Sequence, residues 1–264
     1  MENKDKLYVI KIGGNIIDND ERLLAFLRLL SKVKGKIILV HGGGKLATKL
    51  AADLNIPQRM VDGRRITDAD TLRIVTMVYA GYINKNIVAG MQSNGVNAIG
   101  LSGADANLIL AHKRTSTSVD YGFVGDIDEV NHAFIEDLLN KDFTLVIAPI
   151  THNGQGQLLN TNADTIAQTL ATSLAEKFNV ELIYGFEKAG VLTDVENDAS
   201  VIPFLNPALY QSYRQENKIF AGMIPKLDNA FSALDAGVQK VIIGKAEELD
   251  TLIAGSGGTS ICHD

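Results

Sequence analysis

The 264-residue chain lacks the marks of several large protein classes. It has one cysteine, Cys262, which excludes an intramolecular disulfide framework and fits a reducing compartment. Cys262 itself reads as a buried filler near the end of the chain. Basic charge is not in excess: 25 Lys and Arg stand against 31 Asp and Glu, a net charge of −6, and no basic stripe offsets it. That argues against nucleic acid. No apolar run approaches the roughly 20 residues that cross a bilayer. The charged start MENKDK has no signal-peptide core behind it. His41, His112, His132, His152 and His263 are scattered and show no metal-ligand spacing. Repeats, linkers and low-complexity stretches are missing, so no strong domain boundary is marked. The expectation is a cytoplasmic protein with no nucleic-acid or membrane partner, forming a single domain over 1–264. A softer division separates an N-terminal lobe, 1–178, from a C-terminal lobe, 179–264.

What is present is an alternation. Apolar, β-branched runs begin at Leu7, Lys36, Asn97, Phe143, Val180 and Lys240. Their near-continuous hydrophobicity is that of parallel strands covered on both faces. Helical patterns fall between them, at about 20–33, 44–54, 68–94, 130–140, 163–178, 206–216, 223–236 and 246–253. Such alternation predicts an α/β fold with an open, mostly parallel sheet and helices on both faces. The stretch 68–94 would span roughly 40 Å as one helix. It is apolar on more than one side, so one face packs on the sheet and another is available to a second subunit, the plain alternative being a central helix of a monomer. Residues 102–126 read as a small antiparallel excursion, with Tyr121-Gly-Phe-Val-Gly-Asp as a hairpin strand.

Two glycine-rich turns close the first two strands: Lys11-Ile-Gly13-Gly14-Asn and His41-Gly42-Gly43-Gly44-Lys. Ligands of open α/β sheets bind at the carboxyl ends of strands. Glycine lets the backbone approach a phosphate or carboxylate, and a helix N-terminus adds N–H donors. Either turn alone is compatible with tight turn geometry and nothing more; two at adjacent strand ends point to an anion site. Gly44-Lys45 does not complete a phosphate-binding P-loop, whereas Gly42, Gly44 and Ala47 satisfy a loose dinucleotide fingerprint with Asp62 as its acid. Gly100-Leu-Ser-Gly-Ala104 misses a nucleophile elbow by its last residue.

Lys11 sits next to the end of a buried strand, which is costly unless its ammonium reaches a polar site. The plain alternative is a lysine snorkelling at the sheet rim. Asn162 is a good N-cap, which puts Asp164 in a first helical turn and leaves Asn160 outside the helix, free to contact a ligand. Asp164 there is explained by the helix dipole alone, or as the carboxylate that holds lysines at the mouth of a site. Lys226 follows Pro225 in another first turn, where the dipole opposes a cation, so an anionic partner is suggested. Arg64 and Arg65 precede Thr67, the expected N-cap of the long helix. In extended chain only one of the pair faces the site, where it can clamp a carboxylate bidentately.

Taken in order, KIGGN, VHGGG, DGRRIT, GLSGADA, GQLLNTNADTIA, GVLTD, GMIPK and GGTSI make nearly the whole chain resemble the amino-acid kinase family. The closest resemblance is to the branch that phosphorylates the γ-carboxylate of N-acetyl-L-glutamate in arginine biosynthesis. The resemblance implies a three-layer α/β/α sandwich and an ATP-dependent enzyme that uses ATP with Mg²⁺ as a co-substrate complex; no protein metal ligand is assigned. It implies that Lys11 and Lys226 stabilise phosphoryl transfer and that Asp164 organises them. Gly43, Gly44, Arg65 and Asn160 match positions that bind the acylated amino acid. Gly13, Gly14, Glu187, Gly190, Gly222 and Met223 fall where the family contacts the nucleotide. The segment Gly185-Phe-Glu-Lys-Ala-Gly190 departs from the family's Ser-Asp-Val-Ser-Gly-like run, with Glu187 where an Asp is expected, and Ala221 replaces a polar residue or glycine.

Arginine-inhibited relatives carry an extra N-terminal helix and form hexamers. With the first strand starting near Leu7, the expectation here is an arginine-insensitive homodimer built on 68–94. Alternatives are the same reaction on N-succinyl-L-glutamate, a different acceptor, an inactive small-molecule sensor of the same fold, and, more distantly, an NAD oxidoreductase. A succinyl group adds a further carboxylate and needs a compensating cation or polar room; Arg64 and Lys45 are the candidate cations.

Overall fold

The computed structural model describes residues 4–61, 64–115, 118–194, 196–216, 218–219 and 223–263. Asp62, Ala221 and Gly222, singled out above, lie outside them. In chain order the first strands are β1 (Lys6–Ile12), β2 (Lys36–His41), β3 (Arg59–Val61), β4 (Arg64–Ile66), β5 (Ala98–Leu101), β6 (Ile109–Lys113) and β7 (Gly125–Val130). They are followed by β8 (Thr144–Ile147), β9 (Ile150–His152), β10 (Leu158–Asn160), β11 (Asn179–Phe186), β12 (Phe204–Leu205), β13 (Lys240–Lys245) and β14 (Thr259–Ile261).

The main sheet has the order β12-β14-β13-β11-β1-β2-β8-β5. Its pairs are parallel except β13 with β14. The six long runs read from the sequence are its six central and right-hand strands. Side chains alternate along a strand, and that alternation sorts β1 between two cores. Leu7 and Val9 face helices Ala163–Leu174 and Ile224–Asp235, while Tyr8, Ile10 and Ile12 face helix Asp20–Leu30 and the helical run from Ala69. Both faces are therefore covered by helices, as expected.

A second sheet, β10-β9-β6-β7, and the β3-β4 ribbon stand at the carboxyl end of the main sheet. The antiparallel excursion is real, but its return strand begins at Gly125. Gly122 and Val124 form only isolated bridges, to Thr67 and Asn160. The stretch expected to be one helix over 68–94 is a helical run in three parts: Ala69–Thr76, a π-helical Met77–Ile83, and Asn84–Ser93. Its N-cap is Asp68, which accepts from the Thr71 N–H at 2.8 Å, and not Thr67. Thr67 is engaged elsewhere: its backbone bonds Tyr121 and Phe123, and its hydroxyl accepts from Asn160. Cys262 is half-buried rather than buried. No helix among the described residues is long and apolar enough to cross a membrane.

Candidate active site

Period-two alternation puts Lys11 on the Leu7/Val9 face of β1, at the strand's carboxyl end. Helix Ala163–Leu174 packs on that face, so its N-terminus meets the lysine. Asn162 caps it, accepting from the N–H groups of Asp164 and Thr165 at 2.8 and 3.1 Å. Asp164 then pairs with Lys11 at 2.7 Å. Helix Ile224–Asp235 lies on the same face, with Pro225 in its first turn, and brings Lys226 to the same place. Gln168 ties the two helices by donating to the Asn229 carbonyl at 3.1 Å.

Phe186, at the end of β11, lies under both cations. The Lys226 ammonium is 4.0 Å from its ring centroid and that of Lys11 5.5 Å. Such contacts favour each cation where the two lysines repel. Burial, and then the nearby Lys11, push the Lys226 ammonium below the ordinary lysine range, against the opposing pull of Asp164. Tyr184, beside Lys11 in register, has its phenol pushed up by burial and by Asp164, so it stays neutral.

The two glycine turns touch: the Gly42 N–H donates to the Ile12 carbonyl at 3.0 Å. Gly43 has φ +148°, and a Cβ there would collide with Ile83 and crowd Tyr79, so only glycine fits. Behind the turn His41 is wholly buried, and burial pushes its imidazole down to about 4. A carbonyl can only accept, so the neutral ring carries its proton on Nδ1 and donates to the Gly42 oxygen at 2.8 Å. Its Nε2 then accepts from Asn84 Nδ2 at 3.3 Å. The same amide donates to the Val146 carbonyl at 2.9 Å.

Two cavities meet at this cluster. The larger, about 550 Å³, is bordered by Lys11, Asp164, Lys226, Gly43, Gly44, Arg65 and Asn160. Every residue assigned to catalysis or to the acylated amino acid is thus brought together. The smaller, about 320 Å³, is bordered by Glu187, Lys188, Gly190 and Met223. Gly13, Gly14, Phe186 and Lys226 border both.

Three details differ from expectation. Arg64 and Arg65 both border the larger cavity, because β3-β4 is a narrow ribbon at its rim and arginine stems are long. Arg65 donates to the Gly44 carbonyl at 3.0 Å, to Thr48 at 2.9 Å and to Gln58. Asn160 is not loose: it lies on β10 and donates to Thr67 at 3.0 Å. Arg114 and Phe186 also border the site, and neither was picked out beforehand. The only signal for Arg114 was its place in the polar run of the excursion; for Phe186, it was one position past a clear strand. Among the described residues, no group of three or more His, Cys, Asp or Glu is placed to hold a metal ion.

The model of the amino acid kinase family matches residues 6–245. The chain belongs to the amino acid kinase family. Similar members include the acetylglutamate kinase of Bacteroides fragilis, 53% identical over 258 residues, with 98% of this chain and 97% of that protein covered. The acetylglutamate kinase of Cytophaga hutchinsonii is 56% identical over 249 residues, covering 94% of each. Among solved structures, smu.665 from Streptococcus mutans superposes with a TM-score of 0.77 at 28% identity, covering 98% of this chain and 99% of that one. A carbamate kinase from Giardia lamblia bound to AMP-PNP shares the fold, with a TM-score of 0.70 at 14% identity over the whole of both chains.

Proposed function

We propose that this amino acid kinase transfers the γ-phosphoryl group of ATP to the γ-carboxylate of N-acetyl-L-glutamate, giving N-acetyl-L-glutamyl 5-phosphate in arginine biosynthesis. The observation that carries it is the Lys11–Asp164–Lys226 cluster at the junction of two cavities. The acceptor occupies the larger cavity, its α-carboxylate at Arg65 and the Gly43–Gly44 turn and its acyl amide near Asn160. The nucleotide occupies the smaller one, along Gly13, Gly14, Glu187, Gly190 and Met223.

The chemistry needs no base. A γ-carboxylate with an ordinary pKa near ~4.3 is ionised at neutral pH. Its oxygen attacks the γ-phosphorus in line, the bond to the β–γ bridging oxygen breaks, and ADP leaves with that electron pair. What the protein supplies is alignment and charge: Lys11 and Lys226 at the transferred group and glycine N–H donors around it. Asp164 keeps Lys11 aimed and offsets the repulsion between the lysines. Lys11, Lys226 and the N–H groups of Gly13 and Gly14 fit a polyphosphate, and Mg²⁺ would come bound to the nucleotide, neutralising phosphate charge. The enzyme is read as one domain, a cytoplasmic homodimer joined through the helical run from Ala69 to Ser93.

Hydroxylamine trapping of the acyl phosphate tests the reading. Wild type with ATP–Mg²⁺ and N-acetyl-L-glutamate should give the hydroxamate, and Lys226→Ala should lower kcat by about 10²–10³-fold. No hydroxamate from folded wild type would refute it.

A further inference from the structure

The acceptor cavity has one more cation than N-acetyl-L-glutamate uses. Three arginines border it: Arg64, Arg65 and Arg114. Arg65 is held by Gly44, Thr48 and Gln58 at the glycine turn, where the α-carboxylate belongs. Arg114 is bidentate with Asp126, its Nη2 donating to Oδ1 at 2.5 Å and its Nε to Oδ2 at 3.1 Å. Its charge is therefore answered within the protein. The Arg64 side chain makes no hydrogen bond or ion pair among the described residues, and it stands close enough to Asp126 to act on that carboxylate through space.

Neither end of the glutamate accounts for Arg64. The γ-carboxylate belongs with the two lysines. The nucleotide cavity does not include Arg64, so the phosphates do not account for it either. Lys45, the other candidate for a second anion, borders neither cavity and stands 3.9 Å from Asp18. The part of the acceptor left to meet Arg64 is the acyl group. Met60, paired with Arg65 across the ribbon, and Val124 border the same cavity and offer apolar surface to a short methylene chain.

Resting on the kinase reading, we propose that the cavity takes N-acyl-L-glutamates whose acyl chain ends in a carboxylate, such as N-succinyl-L-glutamate, with Arg64 pairing with that carboxylate. Arginine suits the task because its planar fork meets a carboxylate with two parallel hydrogen bonds.

The test compares kcat/KM for N-acetyl-, N-butyryl- and N-succinyl-L-glutamate. Butyryl matches succinyl in chain length and lacks only the carboxylate. Wild type should prefer succinyl over butyryl by about 10- to 100-fold, the span of one charge-assisted hydrogen bond, mostly in KM. Arg64→Ala should collapse that ratio toward one, and Arg64→Lys should restore part of it. The wild-type comparison stands even if a variant fails to fold. Turnover of the acetyl substrate with no preference for succinyl over butyryl would overturn the proposal and leave the kinase reading intact. So would a ratio unchanged in Arg64→Ala. No turnover of any acylglutamate would overturn both.

Discussion

In the proposed transfer Lys226 serves as an ammonium, and its surroundings pull its pKa in two directions. Burial and Lys11 lower it; Asp164 raises it. Phosphoryl transfer should therefore fail on the alkaline side below the pH at which an ordinary lysine deprotonates. Asp164→Asn removes the raising influence of that carboxylate, so the alkaline limb of the kcat–pH profile should move to lower pH. It also frees Lys11 from its 2.7 Å partner, and kcat near neutrality should fall on the order of 10²-fold, the cost of misplacing a reacting group by about an ångström. An alkaline limb that stays put in Asp164→Asn would sink this account of Lys226. The three residues involved were legible from local rules: the cost of a lysine near the end of a buried strand for Lys11, an N-cap for Asp164, and a cation against the helix dipole for Lys226. Phe186 and Arg114 were not. One acts through a ring face beneath two cations, the other through a partner 12 residues away across a hairpin, and neither relation has a local sequence signature.

The elements that hold the glycine turn are coupled by a polar chain that is buried at His41 and Asn84 and reaches the exposed Lys85. His41 bonds Gly42, Asn84 bonds His41, and Lys85 donates to the Asn84 side-chain Oδ1 at 3.0 Å and to the Gly100 backbone carbonyl at 2.8 Å. His41 has its folded pKa at about 4, below the ~6.5 of an unfolded histidine, mainly through burial and in small part through Lys85. The unfolded chain thus takes up the proton first. The stability that neutral His41 contributes is complete above pH ~6.5 and is lost as pH falls toward 4, by about 2 kcal/mol between pH 8 and 5. Urea unfolding at those two pH values should show that loss in wild type, over and above whatever slope remains in His41→Asn. Equal slopes in the two proteins would remove His41 as its source. The same elements show how far sequence patterning reaches. Strands of four to eight residues, apolar on both faces, were readable. β3, β4, β9, β10, β12 and β14 are two or three residues long, too short to carry a period, and form only through distant partners. The helical run from 69 to 93 was readable as one length of helix, but its π-helical centre was not. It is set by tertiary contacts: Tyr79 and Ile83 lean on Gly43, and Asn84 reaches His41.

At the scale of the molecule, that π-helical segment faces two ways. Its inner side carries Tyr79 and Ile83 against the glycine turn. Its outer side carries Met77, 48% exposed, and Tyr82, 60% exposed, five positions apart and so about one π-turn apart on one face. Between them, Gly81 leaves open space where a Cβ would stand, so a second chain can approach closely. Large apolar side chains held out beside a small residue are what a symmetric helix-to-helix contact buries. Sedimentation of wild type at micromolar concentration should show a dimer, and Met77→Glu with Tyr82→Glu should show a monomer, because paired charges would be forced together across the two-fold axis. That face and the glycine turn lie on two sides of one helical segment, with Met77 and Tyr82 outside and Tyr79 and Ile83 inside. Loss of the dimer should therefore loosen the Gly43 turn, raising KM for the acylated glutamate several-fold while KM for ATP, whose proposed cavity does not include Gly43, changes less. A monomeric wild type would refute the interface. A monomeric variant with both KM values unchanged would show that the face serves assembly alone.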